Sequence, residues 1–378
     1  MKKILNNLHV LTIGGATKDI YLSNQGTDYM TINQKDCQLK YMLLKAGDKI
    51  EIENILNFTG GGATNSAVSF KRLGFKATCI SKIGTDEAGN LIIQELEKEN
   101  IDTKNIIRTN KISTGTSFII NSLERERTIF AYRGANGFIE KKDINLNNIK
   151  NIDQIYITSL SHESSKILPD IVNFAHENNI PVAINPGISQ LAKGTQTLKD
   201  SLKYIDTIIM NSDEAKSFMI ALTENDSNYK ESLKSSMLNC TPCETTENKP
   251  SLLNSPLKHL DYYFSIWKFF KEILKLGPKT VVITDGANGV YAANNKNIFY
   301  HPSIKTNVID TLGAGDSFGS CFVASILSGH KVEAALVRGI INSSSVISKF
   351  GAKPGLLTND ELDKKEINLN LIQKFELN

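Results

Sequence analysis

Asp310-Thr311-Leu312-Gly313-Ala314-Gly315-Asp316 places three small residues directly before an aspartate, at the head of the apolar stretch Ser320 to Leu327. That stretch reads as a buried helix ending at Gly329. A helix that starts behind small residues leaves its first backbone N–H groups bare, and these carry the positive end of the helix dipole. Such a terminus suits a phosphate, because no side chain blocks its approach to the backbone. Asp316 falls in the first turn, beside the anion. It can there accept the proton of a hydroxyl that attacks the bound phosphoryl group. Capping is the plainer use of an aspartate at that place, so the reading depends on companions elsewhere in the chain.

A rival reading lies in the same residues. Gly315-Asp316-Ser317-Phe318-Gly319 spells the G-x-S-x-G turn of serine hydrolases, which requires an acid and then a histidine downstream. His330 is the one later histidine, and no Asp or Glu separates it from Ser317. The order of the triad is not met.

Three further groups have the residue types for substrate and phosphate chemistry. Asp19 follows the apolar run His9 to Ile13 and the turn Gly14-Gly15, beyond the carboxyl end of a strand, where an open α/β sheet binds ligands. It is a candidate for gripping substrate hydroxyls, with a solvated loop acid as the alternative. Gly60-Gly61-Gly62-Ala63-Thr64-Asn65 opens a helical pattern and can let a ligand reach backbone, yet it completes no dinucleotide fingerprint and no Walker lysine follows. Asn211 and Glu214 stand three apart at a helix start in which Ser212 could cap. An amide and a carboxylate so placed can hold the water shell of Mg²⁺; a cap with a first-turn acid is the alternative.

The elements that would position these groups alternate strand and helix, the signature of a doubly wound parallel sheet. Strands are expected at 154–158, 182–185, 207–210 and 279–284, with a turn at Asp285 to Gly289. Lys49-Ile50-Glu51-Ile52-Glu53 alternates like a half-exposed strand, and 116–120 with 128–132 reads as a hairpin ending at Arg133. From about 224 to 260 the chain turns polar and loses periodicity, which predicts an inserted surface loop, of which about 225–255 is expected to be dispensable for catalysis. Cys240-Thr241-Pro242-Cys243 lies within it, without a second Cys or His pair at ligand spacing. Tyr263, Ile266, Trp267, Phe270, Ile273 and Leu274 fall on one helical face and suggest core packing.

Composition narrows the class. Of 378 residues 40% are hydrophobic and 22% charged, the balance of a globular protein. Lys and Arg total 43 against 40 Asp and Glu, and they are scattered, so neither nucleic acid nor an anionic membrane is indicated as a partner. Five cysteines over so long a chain suit a reducing compartment, Asn6-Asn7 interrupt any signal-like core, and no apolar run is long enough to span a bilayer. A cytoplasmic location is expected.

Together these stretches resemble the PfkB, or ribokinase-like, family of carbohydrate and nucleoside kinases. Gly60, Gly61, Ala63, Asn65, Ala67, Gly74 and Gly84 fit its first signature, and Asp310, Gly313, Ala314, Gly315 and Asp316 its second. Cys321 departs from the small residue usual there, a packing adjustment at most. The resemblance implies one ribokinase-like domain over 1–378, a three-layer α/β/α body with a mostly parallel doubly wound sheet and a small β lid from about 20–58 and 116–133. It implies ATP and Mg²⁺ as cofactors, with K⁺ suggested near Gly351-Ala352 alone, and it is compatible with a homodimer. Asp316 would be the catalytic base, and Gly313, Ala314 and Gly315 the anion hole. Asp19, Gly61, Gly62, Asn65 and Arg133 would bind substrate. Asn211 and Glu214 would organise Mg²⁺ through water, and Thr284, Gly286, Gly289 and Asn342 would bind the nucleotide.

Those residues point to an ATP-dependent sugar kinase. A nucleoside kinase of the same fold uses the same motifs, so the sequence does not separate the two. A silent sugar- or nucleotide-binding regulator is the reading from another class, and the retained Asp316 argues against it, because a binder needs no base.

Overall fold

A computed structural model describes residues 7–23, 28–34, 37–121, 127–149, 151–225, 250–254, 257–259, 262–365 and 367–377. Its body is a ten-stranded sheet. In spatial order the strands are Gln373–Glu376, Asn297–His301, Val290–Ala293, Thr280–Thr284, Thr207–Asn211, Val182–Ile184, Gln154–Ile157, His9–Ile13, Lys76–Gly84 and Ile106–Thr109. Neighbours run parallel from Ile106–Thr109 across to Thr280–Thr284, and the remaining three strands add on antiparallel. All five residues of His9–Ile13 are buried, as expected of a strand covered on both faces. Alternate side chains feed two cores. Leu11 and Ile13 join the layer holding the helices Leu168–Glu177 and Ile266–Lys275; Val10 joins the layer of Gly62–Arg72, Ala314–Leu327 and Val332–Val346. The result is the three-layer, doubly wound α/β architecture expected from the alternation of strands and helices.

A second sheet of four strands orders Asn54–Gly60, Thr17–Ser23, Gly115–Asn121 and Arg127–Tyr132. Thr17–Ser23 leaves the main sheet through Gly14-Gly15, so the small sheet grows from the carboxyl end of a central strand. Its period of two turns Asp19 and Tyr21 inward, 4% and 1% exposed, while Phe118, Phe130 and Tyr132 lie exposed on the other face. A separate hairpin pairs Asp28–Gln34 with Cys37–Leu43.

Two expectations change. Residues 49–53 form no strand; the lid strand begins at Asn54. Ile50 and Ile52 are both exposed, so the alternation there has no core to face. The segment 224–260 is also more than a loop at its ends. The helix Ser212–Asn225 enters it, and the short helix Ser251–Asn254 leaves it with Leu252 and Leu253 buried in the core. Leu252 N–H donates to the Tyr291 hydroxyl at 3.3 Å. Cys240 and Cys243 lie outside the described residues. The stripe packs as expected over Ile266–Lys275, where Ile266, Phe270, Ile273 and Leu274 are buried and Trp267 meets Phe375 edge to face at 6.1 Å. Tyr263 is not on this helix but in the strand Tyr262–Phe264, paired with Leu257–His259. Among the described residues no helix is long and apolar enough to cross a membrane.

Candidate active site

Gly313 caps the helix Ala314–Leu327 in the left-handed region, φ 77°. A Cβ there would stand 2.5 Å from that of Ala352, so only glycine can make this turn. Gly315 faces open space, with nothing within 4 Å of a Cβ position. Inside this helix the N–H groups of Gly315 and Asp316 have no carbonyl one turn back. The turn is therefore an unobstructed, positively polarised cradle of the kind a phosphate takes.

Asp316 projects from the first turn toward the helix Gly62–Arg72, where Asn65 Nδ2 donates to its Oδ2 at 2.8 Å. Burial pushes the Asp316 carboxyl above its ordinary range, the Asn65 bond opposes this, and Asp19 adds to it. Asn65 is 4% exposed, and its Oδ1 has no protein partner, which leaves an acceptor for a substrate hydroxyl.

Asp19 faces the same hollow from the lid. Thr17 donates to its Oδ1 at 3.0 Å, and the Ser117 hydroxyl also bonds it. Burial again pushes its carboxyl up, against these two bonds and the charge of Lys353. Glycines make this possible. A Cβ on Gly60 would lie 1.9 Å from Asp19 Oδ2, and one on Gly61, at φ 97°, 2.4 Å from the Gly15 carbonyl. Gly62 packs its bare face on Thr158, where a Cβ would come within 2.7 Å. Asp19, Gly61, Gly62, Asn65 and Asp316 thus converge. Arg133 does not join them: it is exposed and heads the short turn Gly134–Phe138.

Asn211 and Glu214 cap their helix reciprocally. Asn211 Oδ1 accepts from Glu214 N–H and Glu214 Oε2 from Asn211 N–H, both at 2.8 Å. Asn211, not Ser212, is the cap, because its backbone still pairs with Thr284 in the sheet. Burial, with help from Asp316 and Asp213, pushes the Glu214 carboxyl up to about 7. The Tyr156 hydroxyl, fully buried beneath the first turns of the Ala314 helix, feels both Asp316 and Glu214 and has no partner. A corner crowded with negative groups and an orphaned hydroxyl fits a hydrated divalent cation. Among the described residues no three His, Cys, Asp or Glu side chains converge as a direct cage.

Thr284 ends its strand beside Asn211. Gly286, φ 53°, opens to free space, while Gly289, φ 111°, packs against the His301 carbonyl, 2.4 Å from a Cβ position. Asn342 needs correction as a nucleotide contact. It is 0% exposed, with Nδ2 donating to the Ser317 carbonyl at 2.9 Å and Oδ1 accepting from Leu357 N–H at 3.0 Å. Its amide is spent bracing the Ala314 helix from behind.

Sequence reasoning missed three residues here. Tyr21 and Arg127, from two lid strands, both donate to the buried Asp310, whose oxygens also accept Leu312 N–H at 2.9 Å and Gly351 N–H at 3.1 Å. Arg127 bonds the Thr311 hydroxyl as well. Asp310 therefore joins the lid to the turn before the anion cradle. Lys353 is the third, a buried cation behind the substrate hollow.

A family model described as pfkB family carbohydrate kinase matches residues 27–249 and 266–359. The chain is 25% identical over 320 residues to a ribokinase of Staphylococcus aureus (strain COL), covering 84% of this chain and 91% of that protein. Its fold is similar to that of Arabidopsis thaliana ribokinase complexed with ribose and ATP, with TM-score 0.69 and 18% identity over 94% of this chain and 98% of that one. It is also similar to a Burkholderia thailandensis nucleoside kinase in complex with inosine, with TM-score 0.66 and 15% identity over 94% and 96%. At such identities the two structures speak for the fold alone.

Proposed function

Because the chain belongs to the pfkB family of carbohydrate kinases, we propose that it transfers the γ-phosphoryl group of ATP to a sugar hydroxyl, with Asp316 as general base. One observation carries this reading: Asp316 stands in the first turn behind Gly313-Ala314-Gly315, is bonded by Asn65 and feels the charge of Asp19. Asp19 and the free Asn65 Oδ1 orient the acceptor so that one hydroxyl faces Asp316. Asp316 takes its proton as the oxygen attacks, and the bare N–H groups of Gly315 and Asp316 meet charge on the transferred group, the Ala314 N–H being held by the Thr311 carbonyl at 3.3 Å. Mg²⁺, held through water by Asn211 and Glu214, would neutralise the ATP phosphates. Thr284, Gly286 and Gly289 form the turn beside which the nucleotide lies. Lid strands over Asp19 exclude water, which would otherwise compete as acceptor. A K⁺ requirement near Gly351 and Ala352 belongs to this reading on family grounds only. A homodimer is part of it too, and the mass in solution tests that.

A nucleoside acceptor is the second reading. What favours it is Ile129, 39% exposed and in register with Tyr21 and Ile119 on the lid face that carries Asp19. That apolar surface suits a base. An ADP-release screen over hexoses, pentoses, sugar phosphates and nucleosides, with Mg²⁺ present, separates the two. Ligand-induced stabilisation without ADP release from any of them would leave a silent binder.

A further inference from the structure

Lys353 lies in the loop after the helix Val332–Val346 and is 3% exposed. Its ammonium donates to the Thr59 carbonyl at 3.1 Å and to the Thr59 hydroxyl, and pairs with Glu95 at 3.3 Å. Thr59 precedes Gly60, the residue whose missing Cβ admits Asp19. The ammonium thus grips the strand end that becomes the substrate turn. Its own loop is held by Arg72, which donates to the carbonyls of Lys353 and Leu356 at 3.0 Å each and pairs with Glu99.

A neutral donor would suffice to hold Thr59. Burying an ammonium is costly unless nearby negative charge compensates it. Burial pushes the Lys353 ammonium below its ordinary range, and the negative charge that opposes this comes from two elements, Glu95 in contact and Asp19 from the lid. The Cys79 thiol, pushed up to about 12 by burial, stays neutral. The charge of Lys353 also acts on Asp316. Asp19 feels Asp310 as well, beside Arg127, and Asp316 is felt in turn by Glu214 and Tyr156. Two carboxylates therefore meet in one hollow with a single buried ammonium behind them among the described residues.

We propose that Lys353 is a positioning residue for phosphoryl transfer: an internal cation that holds the Thr59–Gly60 corner and balances the charge Asp19 and Asp316 bring together. This rests on the kinase reading above, and two measurements keep the failures apart. The first is kcat/KM against pH for wild type, Lys353→Gln and Lys353→Arg. Gln keeps a donor for Thr59 without the charge; Arg keeps the charge. The acid limb should move up by about one pH unit in Lys353→Gln and stay at the wild-type position in Lys353→Arg, even where the latter melts earlier. The second needs no turnover. Burial already raises both carboxyls above their unfolded values, so ionising them on raising the pH costs the native state stability. Without the cation that cost grows. The melting-temperature deficit of Lys353→Gln should therefore be larger at about pH 8 than at about pH 5. An unmoved acid limb, or a deficit that does not change with pH, would reduce Lys353 to a packing group and overturn the proposal. If wild type phosphorylates no sugar or nucleoside, the functional reading fails on its own, and the melting comparison still decides the role of Lys353.

Discussion

Asn65 Nδ2 donates to Asp316 Oδ2 at 2.8 Å, joining the first turns of two helices 251 positions apart in the chain. The bond opposes burial and so favours the ionised carboxylate that a general base requires. Asn65→Leu should therefore shift the acid limb of kcat/KM upward and lower kcat/KM at neutral pH by about 10–100-fold, the usual worth of a hydrogen bond to a charged group. A pH–rate profile checks both. An unchanged profile would mean that Asn65 only packs.

Gly313→Ala should cost activity through the backbone. The left-handed φ of 77° and the 2.5 Å approach to Ala352 leave no room for a methyl group. Strain of about 1–3 kcal/mol is expected, with turnover falling by about 10-fold or more as the cradle opens. Steady-state kinetics and urea unfolding measure the two effects separately.

The cradle and the place of Asp316 were legible in the sequence because their pattern is local, small residues before a helix and an acid in its first turn. Asn65 was reached through the family resemblance alone, since its bond to Asp316 spans 251 positions. The parallel sheet was legible from local pattern too, since a strand such as His9–Ile13 must be apolar throughout to be buried on both faces. Lys353 and Arg127 were not legible. Their roles come from contacts 294 and 183 positions away, to Thr59 and Asp310, and no local pattern marks such a partner. Asn342 misled in the opposite sense, because an asparagine inside a helix looks available to a ligand until the neighbouring backbone is seen to consume it. The alternation at 49–53 was real but faced solvent on both sides.

Mg²⁺ should bind with a pH dependence set by Glu214. Its carboxyl lies near 7 in the folded chain against an ordinary 4.5, so the native state loses stability as pH rises between these values. A divalent cation favours the ionised form. Stabilisation by Mg²⁺ together with a non-hydrolysable ATP analogue should therefore be greater at about pH 8 than at about pH 6, and Glu214→Gln should flatten that difference. Thermal shift at several Mg²⁺ concentrations measures it; equal shifts at both pH values in wild type would confine Asn211 and Glu214 to capping.

The segment 226–249 is expected to be replaceable by a short Gly/Ser linker with turnover retained, since loop closure costs grow slowly with length. The boundary matters. Leu252→Ala should cost about 2–5 kcal/mol because this side chain is part of the core, so a deletion continued through 255 should unfold what the shorter one leaves intact. Stoichiometric zinc in the purified protein, or turnover lost on replacing 226–249 alone, would assign the segment to the working site.

The central claim is that Asp316 takes the proton of the acceptor hydroxyl. Asp316→Asn is nearly isosteric and leaves the cradle's N–H groups in place, so ATP binding and melting temperature should stay close to wild type. ADP release with Mg²⁺-ATP and the best acceptor found in the screen should fall by about 10²–10⁴-fold. Turnover within a few fold of wild type, in a variant that still binds ATP, would contradict the account and leave Asp316 as the cap of its helix.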